Sequence, residues 1–179
     1  LPLERAISCA QYWNLQGKID FRLGDGLKCV FPGEVDCVVI AGMGGGTIGE
    51  ILGRSMWACQ PGCRLVLQPM SSADDLRRFL YENGISILKE LPVMEESGIY
   101  TVITAECGKT RKWQPWEEYV SWALLNAEGE LKDKYISKII GRLEHALAGA
   151  RGSSKSCDSG RAAYFEAALN GLKERMEYI

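Results

Sequence analysis

Histidine is almost absent from this chain of 179 residues, in which His145 stands alone. Metal centres built from several histidines are therefore excluded, and a Ser-His-Asp triad would depend on this one side chain. His145 falls within a long helical pattern, away from any predicted strand end. We interpret it as a solvated helix residue.

Long hydrophobic runs are also missing. The longest, at residues 37–43, is far shorter than the roughly 20 residues that span a bilayer. The first residues lack the basic segment and apolar stretch that are typical of a signal peptide. We therefore expect no membrane association. The first residue is Leu1 rather than Met, so we do not expect it to be the natural start.

The cysteines do not form a disulfide or metal pattern. The chain has seven, an odd number with scattered spacing, which favours reduced, buried thiols in a cytoplasmic protein. Cys59 and Cys63 are separated by three residues, and no second Cys or His pair accompanies them. We therefore expect no metal site.

Neither sign of charge dominates, since the net charge is −2. The charge is unevenly distributed, however. Residues 1–108 carry nine basic and 13 acidic side chains, a net charge of −4, whereas residues 109–179 carry 12 and 10, a net charge of +2. If the protein binds RNA, the C-terminal part is the better electrostatic partner.

Hydrophobic periodicity predicts an α/β protein. Helical spacing covers residues 3–13, 47–57 and 72–83, the last with Ser72 as N-cap and Gly84 as its end. Strand patterns cover residues 19–23, 36–41, 64–68, 85–91 and 100–106. The strand at 36–41 is continuously apolar, which is typical of a central strand covered on both faces. The order indicates a doubly wound sheet that finishes in a hairpin.

The character of the sequence changes after Gly108. A basic, aromatic connector at 109–116 precedes two helical patterns with narrow apolar seams. One seam comprises Ile136, Ile140, Leu143, Leu147 and Ala150; the other comprises Phe165, Leu169, Leu172, Met176 and Ile179. Such helices should form an antiparallel hairpin. The alternative is a helical pair packed against the sheet.

A glycine cluster at residues 42–49 follows the apolar strand and opens a helix. Ligands of doubly wound folds bind at this carboxyl edge, and glycine lets them approach the main chain. Gly44, Gly46 and Gly49 also satisfy the dinucleotide pattern G-x-G-x-x-G. The next strand ends in Gln-Pro rather than a ribose-binding acid, which argues against a nicotinamide dinucleotide. No Lys-Ser or Lys-Thr follows, which argues against a P-loop.

An aspartate flanked by glycines precedes this cluster by one strand. Asp25 should lie just beyond the strand at 19–23, where a carboxylate can accept a hydrogen bond from an exocyclic amine. An Asp-Gly turn is also common for purely conformational reasons. Taken with the glycine cluster, it indicates an adenine-containing cofactor across adjacent strand ends.

These segments resemble those of the bacterial tRNA (adenine(22)-N(1))-methyltransferases, Rossmann-like enzymes that use S-adenosylmethionine. The similar segments occur in the right order and include Arg-Leu-Gly-Asp-Gly-Leu at 22–27, Ala-Gly-Met-Gly-Gly at 41–45 and Leu-Gln-Pro at 67–69. The trailing helical hairpin is similar too. Two residues depart from the pattern: Met70 replaces an expected Asn, and Thr101 an expected Glu.

The resemblance implies which residues contact the cofactor. Asp25, Gly26 and Leu27 would lie by its adenine. Its methionine portion and methyl group would lie by Ala41, Gly42, Met43 and Gly44. The implied domains are a partial Rossmann-like S-adenosylmethionine-binding domain at 1–108, and a connector with a C-terminal helical hairpin at 109–179. The hairpin would help to hold tRNA.

The resemblance also implies segments that this sequence does not show. Family members begin with a helix and two central strands, the first ending in a Gly-Thr-Asp-His-like loop and the second in an acidic residue that holds the ribose. We expect the sequence to omit these front strands, since their absence would leave a hydrophobic sheet edge bare. An intact mass of 19.8 kDa would exclude additional residues.

Methylation of adenine N1 requires no general base, because this nitrogen carries an in-plane lone pair and no proton. Alignment and exclusion of water should dominate catalysis, so we assign no catalytic residue. The expected tRNA-binding residues are Lys109, Arg111, Lys112, Arg151, Lys155 and Arg161. Two other functions stay open: a Rossmann methyltransferase acting on another substrate, and a non-catalytic nucleotide-binding module.

Overall fold

The computed structural model describes residues 2–96, 98–108, 112–152 and 157–177. It divides into two compact units, Leu1–Glu34 and Val35–Ile179. Residues on both sides of position 108 thus belong to the second unit. The expected division between a cofactor-binding domain at 1–108 and a connector with helical hairpin at 109–179 stays a prediction.

The first unit contains helix α1 (Pro2–Tyr12) and a short 3-10 helix at Gln16–Lys18. The strand predicted at 19–23 is wrong, because no strand pairs with these residues in the described part of this unit. Ile19 and Leu23 are accordingly exposed. Arg22 organises the segment instead: its Nε donates to Asp20 Oδ2 at 2.7 Å, and its Nη2 pairs with Glu34.

The second unit is built on a four-stranded sheet. Its strands are β1 (Cys37–Gly44), β2 (Arg64–Ser71), β3 (Ile85–Glu95) and β4 (Gly98–Cys107), in the order β1-β2-β4-β3. β2 lies parallel to β1, and β4 is antiparallel to both β2 and β3. The predicted hairpin at the sheet edge is thereby confirmed.

β1 differs from its expected central place. Val38 and Ile40 are buried, but Val39 is 67% exposed. Within the described sheet β1 pairs only with β2. The interpretation of a strand covered on both faces is therefore wrong for the part of the chain that the structure describes.

Two helices flank these strands. Helix α2 (Gly45–Gly53) begins directly at the end of β1, and a 3-10 helix at Met56–Cys59 completes the segment predicted as one helix. Helix α3 (Ala73–Glu82) follows β2. Ser72 is its N-cap, as predicted, but it has a left-handed backbone (φ 50°) and its side chain makes no capping hydrogen bond. Its backbone curvature, rather than its hydroxyl, turns the chain into the helix.

Three helices follow a 3-10 helix at Pro115–Glu118: α4 (Trp122–Leu125), α5 (Glu130–Gly152) and α6 (Cys157–Met176). The last two, α5 and α6, form the predicted hairpin and also pack on the sheet. Ion pairs join Glu144 to Lys173 and Arg151 to Glu166, and this inverse order shows that α5 and α6 are antiparallel. A hydrophobic core joins α5 and α6 to Trp116 and, through Ile99, to β4.

Candidate functional site

The carboxyl end of β1 carries the expected glycine residues, and a hydrogen bond to the neighbouring strand fixes its conformation. The register runs from Ala41 opposite Gln68 to Gly44 opposite Ser71, with irregularities on both sides of Met43. Gly42 has a φ of +77°, which glycine adopts without strain. Its N–H donates to Gln68 Oε1 at 2.9 Å. The Leu-Gln-Pro segment therefore holds in place the glycine loop, which is the cluster at 42–49 that joins the end of β1 to the start of α2.

The glycines of this loop serve different purposes. A Cβ on Gly45 would lie 2.0 Å from the Ser72 carbonyl oxygen, and one on Gly49 would contact the Phe79 ring at 3.4 Å. Packing therefore excludes a side chain at Gly45, whereas the contact at Gly49 would be an ordinary van der Waals contact. A Cβ on Gly42 or Gly46 would meet nothing within 4 Å. Bare main chain facing open space is thus found at Gly42 and Gly46, and not along the whole loop.

The residues expected beside the methionine portion of the cofactor are accessible. Ala41 and Gly42 are exposed, as is Met43 at 43%, and Gly44 is half-buried and precedes helix α2. The structure thus brings Ala41, Gly42, Met43 and Gly44 together at one strand end. Their contact with a cofactor stays a prediction.

The residues expected beside adenine form a turn in the first unit. Gly26 has a φ of +60°, and the Lys28 N–H donates to the Asp25 carbonyl oxygen at 3.3 Å. The Asp25 carboxylate is exposed and accepts from Lys28 Nζ at 2.7 Å. Leu27 is half-buried. Asp25 does not follow a strand end as expected, since residues 19–23 form no strand. Its role toward adenine stays a prediction.

The expected tRNA-binding residues lie partly outside the described residues, namely Lys109, Arg111 and Lys155. Lys112 is exposed. Arg151 pairs with Glu166 at 2.8 Å, and the Arg161 guanidinium lies 5.9 Å from the Phe165 ring centroid. Both arginines are on the helical hairpin, but each already contacts a neighbouring side chain.

A buried polar network was not predicted from the sequence. Arg77 of α3 and Glu90 of β3, 1% and 0% exposed, form an ion pair. Thr101 and Ser121 donate to the Glu90 carboxylate at 2.8 and 2.5 Å. Burial opposes both charges, yet their attraction outweighs it: it lowers the pKa of Glu90 and raises the pKa of Arg77. The sequence signal for this network was Arg77, a single arginine between apolar residues on the buried face of α3.

The cysteines of the second unit are consistent with reduced thiols. Cys59 and Cys63 are buried and unbonded, and burial raises the pKa of Cys59 to about 11. The expectation of buried thiols is wrong for Cys9 and Cys37, which are exposed. The described residues contain no group of three or more His, Cys, Asp or Glu side chains placed to hold a metal ion. In the same residues, no helix combines the length and apolar character needed to cross a bilayer.

The sequence is similar to known methyltransferases. A family model described as a methyltransferase domain matches residues 1–103. The tRNA (adenine(22)-N(1))-methyltransferase of Bacillus subtilis is 37% identical over 95 residues. That match covers 53% of this chain but 40% of the relative. The chain therefore spans about two fifths of the curated relative that it matches.

Solved structures share the fold. The crystal structure of the Bacillus subtilis M1A22 tRNA methyltransferase TrmK has a TM-score of 0.82 at 24% identity, covering 98% of this chain and 77% of that one. A Streptococcus pneumoniae structure in complex with S-adenosyl-L-methionine has a TM-score of 0.76 at 25% identity, covering 98% and 76%. The Rossmann-like methyltransferase fold predicted from the motifs is confirmed.

Proposed function

This chain belongs to the methyltransferase domain family, and from that premise we propose that the protein transfers a methyl group from S-adenosylmethionine to N1 of adenine 22 in tRNA. The observation that carries the proposal is the glycine loop at the end of β1, held by Gln68 through the Gly42 N–H. The similarity to the Bacillus subtilis enzyme supports the substrate. We place this reaction in the cytoplasm, in keeping with the free thiols.

The residues of the loop fit the cofactor. Open space adjoins the Gly42 main chain, where any side chain would protrude, and Ala41 and Met43 are exposed on either side. These are the features that a sulfonium and its amino-acid tail require: close main-chain approach and apolar side chains around a methyl group. We assign the methionine portion to residues 41–44 and the adenine to Asp25, Gly26 and Leu27.

S-adenosylmethionine, when bound, supplies an electrophilic methyl group. The protein needs to remove no proton, because adenine N1 offers a lone pair. Its task is to align the base with that methyl group and to exclude water. Met43 would form part of an apolar wall beside the methyl group, and the hydrogen bond to Gln68 would hold the Gly42 main chain in place. An adenine that is stacked or paired in tRNA must first swing out, at a cost of a few kcal/mol.

The proposal is tested in two steps with the full-length protein. Calorimetry should detect binding of S-adenosylmethionine, and absence of binding would favour a non-catalytic module. Incubation with unmodified tRNA should then yield 1-methyladenosine after digestion to nucleosides. A matched tRNA with guanine at position 22 should yield none. A different methylated product would instead assign the protein to another substrate.

Alanine at Gly42 should weaken cofactor binding. The residue has a positive φ that costs an L-residue roughly 1–2 kcal/mol, and the added methyl group would enter the space assigned to the cofactor. We expect the Kd for S-adenosylmethionine to rise at least about tenfold. Gly62→Ala is the matched control, because Gly62 has a φ of +97° with open space beside it in the turn before β2. Equal loss of affinity in both variants would count against the assigned site.

Neutralising the hairpin cations should weaken tRNA binding. The triple variant Arg151→Ala, Lys155→Ala and Arg161→Ala should raise the Kd and flatten its dependence on salt, since each lost phosphate contact removes about 0.7–0.9 from the logarithmic slope. Arg64→Ala, at the amino end of β2, is the control. An unchanged slope in the triple variant would remove these residues from the interface.

A further inference from the structure

A groove runs along α5 and opens at the carboxyl edge of the sheet. Its narrower part, about 220 Å³, is lined by the end of β2 and the turn after it at 69–72, the start of β4 at 98–101 and residues of α5. A wider part of about 630 Å³ continues between α3 and α5. Both parts share five lining residues, Ala73, Tyr135, Lys138, Ile139 and Arg142. The two parts therefore adjoin along α5, and the groove comprises both.

The groove begins beside the proposed methyl-transfer site. Ser71, which lines its narrow part, is the register partner of Gly44 in the glycine loop. The strand ends that carry the loop and the groove are thus neighbours in the sheet. A polymer whose target base reaches the loop would have its adjacent residues at the mouth of the groove.

Two cations of the groove lack a carboxylate partner. Lys138 and Arg142 lie four residues apart on α5, both are exposed, and neither makes an ion pair within the described residues. The other hairpin lysines that the structure describes differ from Lys138, because each pairs with a carboxylate: Lys132, Lys134 and Lys173. The one acidic side chain in the wide part, Asp74, makes no ion pair with either cation. Uncompensated positive charge in a groove favours an anionic partner.

The walls of the wide part add aromatic surface. Tyr119 and Phe165 line it, and both are half-buried, so that part of each side chain faces the groove. Nucleobases stack on such rings, and phosphates pair with lysine and arginine beside them. A groove with both kinds of group is typical of single-stranded nucleic-acid binding and differs from an acidic-peptide site, which needs no rings.

We propose that this groove holds the RNA strand next to the methylated adenine, with Lys138 and Arg142 on its phosphates and Tyr119 and Phe165 beside its bases. The inference rests on the proposed function and names a binding surface for the same reaction. It assigns the phosphate contacts nearest the reacting base to α5 rather than to the hairpin tip. The swung-out adenine would leave its neighbouring phosphates exposed to these two cations.

The test compares two double variants of the full-length protein. Lys138→Ala with Arg142→Ala should weaken tRNA binding about tenfold and lower the logarithmic salt slope by about 1.4, the value for two phosphates of a single strand. Lys132→Ala with Lys134→Ala removes the same charge from the same helix outside the groove. This control should change both quantities much less. S-adenosylmethionine binding and the urea midpoint should stay unchanged in both variants.

Equal effects of the two double variants on tRNA binding would overturn the groove assignment, as would an unchanged salt slope in the Lys138 and Arg142 variant. Failure of the proposed function is visible separately, because the unmodified protein would then form no 1-methyladenosine. Phe165→Leu gives a second readout: loss of tRNA affinity with an unchanged salt slope supports stacking, and unchanged affinity removes Phe165 from the contact.

Discussion

Glu90→Gln is expected to destabilise the protein by about 3–5 kcal/mol, because it leaves the Arg77 guanidinium buried without its counter-charge. Arg77 Nε lies 3.1 Å from Glu90 Oε2, and Arg77 Nη1 donates to the Glu118 carbonyl oxygen at 3.2 Å. The pair therefore joins α3, β3 and the segment before α4. A neutral amide can accept from Arg77 but cannot balance its charge.

Urea unfolding of Glu90→Gln and Glu166→Gln measures the effect. Glu166 pairs with Arg151 at the surface, where an ion pair contributes at most about 1 kcal/mol. Glu166→Gln should therefore shift the midpoint only slightly. Similar shifts for both variants would show that the buried pair contributes no more than the exposed one.

The same ion pair makes the free energy of unfolding depend on pH in the acidic range. The folded-state pKa of Glu90 is below its ordinary value, because attraction to Arg77 outweighs burial. Its contribution is thus complete above the unfolded pKa, about 4.3, and is lost as the pH falls below that value toward the folded pKa. Glu90→Gln should flatten this acid limb of the stability profile. Unfolding at pH 7 and at successively lower pH tests the sign.

Gly45→Ala is expected to have the other large effect, a loss of about 3 kcal/mol or failure to fold. The new Cβ would lie 2.0 Å from the Ser72 carbonyl oxygen and 2.8 Å from its carbonyl carbon. Both are backbone atoms, so no side-chain rotation can relieve the clash. Either α2 or the β2–α3 turn would have to move, and the glycine loop is attached to both.

Gly46→Ala is the matched control for Gly45→Ala. It is the next residue of the same helix, and its Cβ would meet nothing within 4 Å. Alanine has the higher helix propensity, so this variant should gain roughly 0.5–1 kcal/mol. Free energies of unfolding should therefore change in opposite directions. A destabilised Gly46→Ala, or a stable Gly45→Ala, would contradict the packing explanation.

The departure at Thr101 shows what a motif comparison leaves out. An acidic residue was expected there, and its absence had no explanation in the sequence. In the folded chain Thr101 is 1% exposed and its hydroxyl donates to Glu90. A glutamate at this position would face a buried carboxylate directly. The threonine is thus the residue that fits a site where Glu90 already carries the charge.

The basic residues illustrate the same difference. The sequence drew attention to clustered cations, Arg151 and Arg161 among them, because local density is visible in one dimension. Lys138 and Arg142 are unremarkable in sequence, since exposed cations four residues apart occur on many helices. Their neighbours in the groove come from β2, β4 and α3. Only long-range packing shows that neither makes an ion pair among the described residues and that both line a groove with Ser71.

Local sequence by itself determined that a strand, a glycine cluster and a helix follow one another from residue 36. It also determined strands at 64–68, 85–91 and 100–106 and two helices in the C-terminal part. Each depends on hydrophobic period, β-branching or glycine conformation, which act between residues close in the chain. Tertiary structure decided that residues 19–23 form no strand, that Gly45 serves packing while Gly42 faces open space, and that Glu90 neutralises Arg77. These outcomes depend on contacts between distant residues, whose free energy no single segment contains.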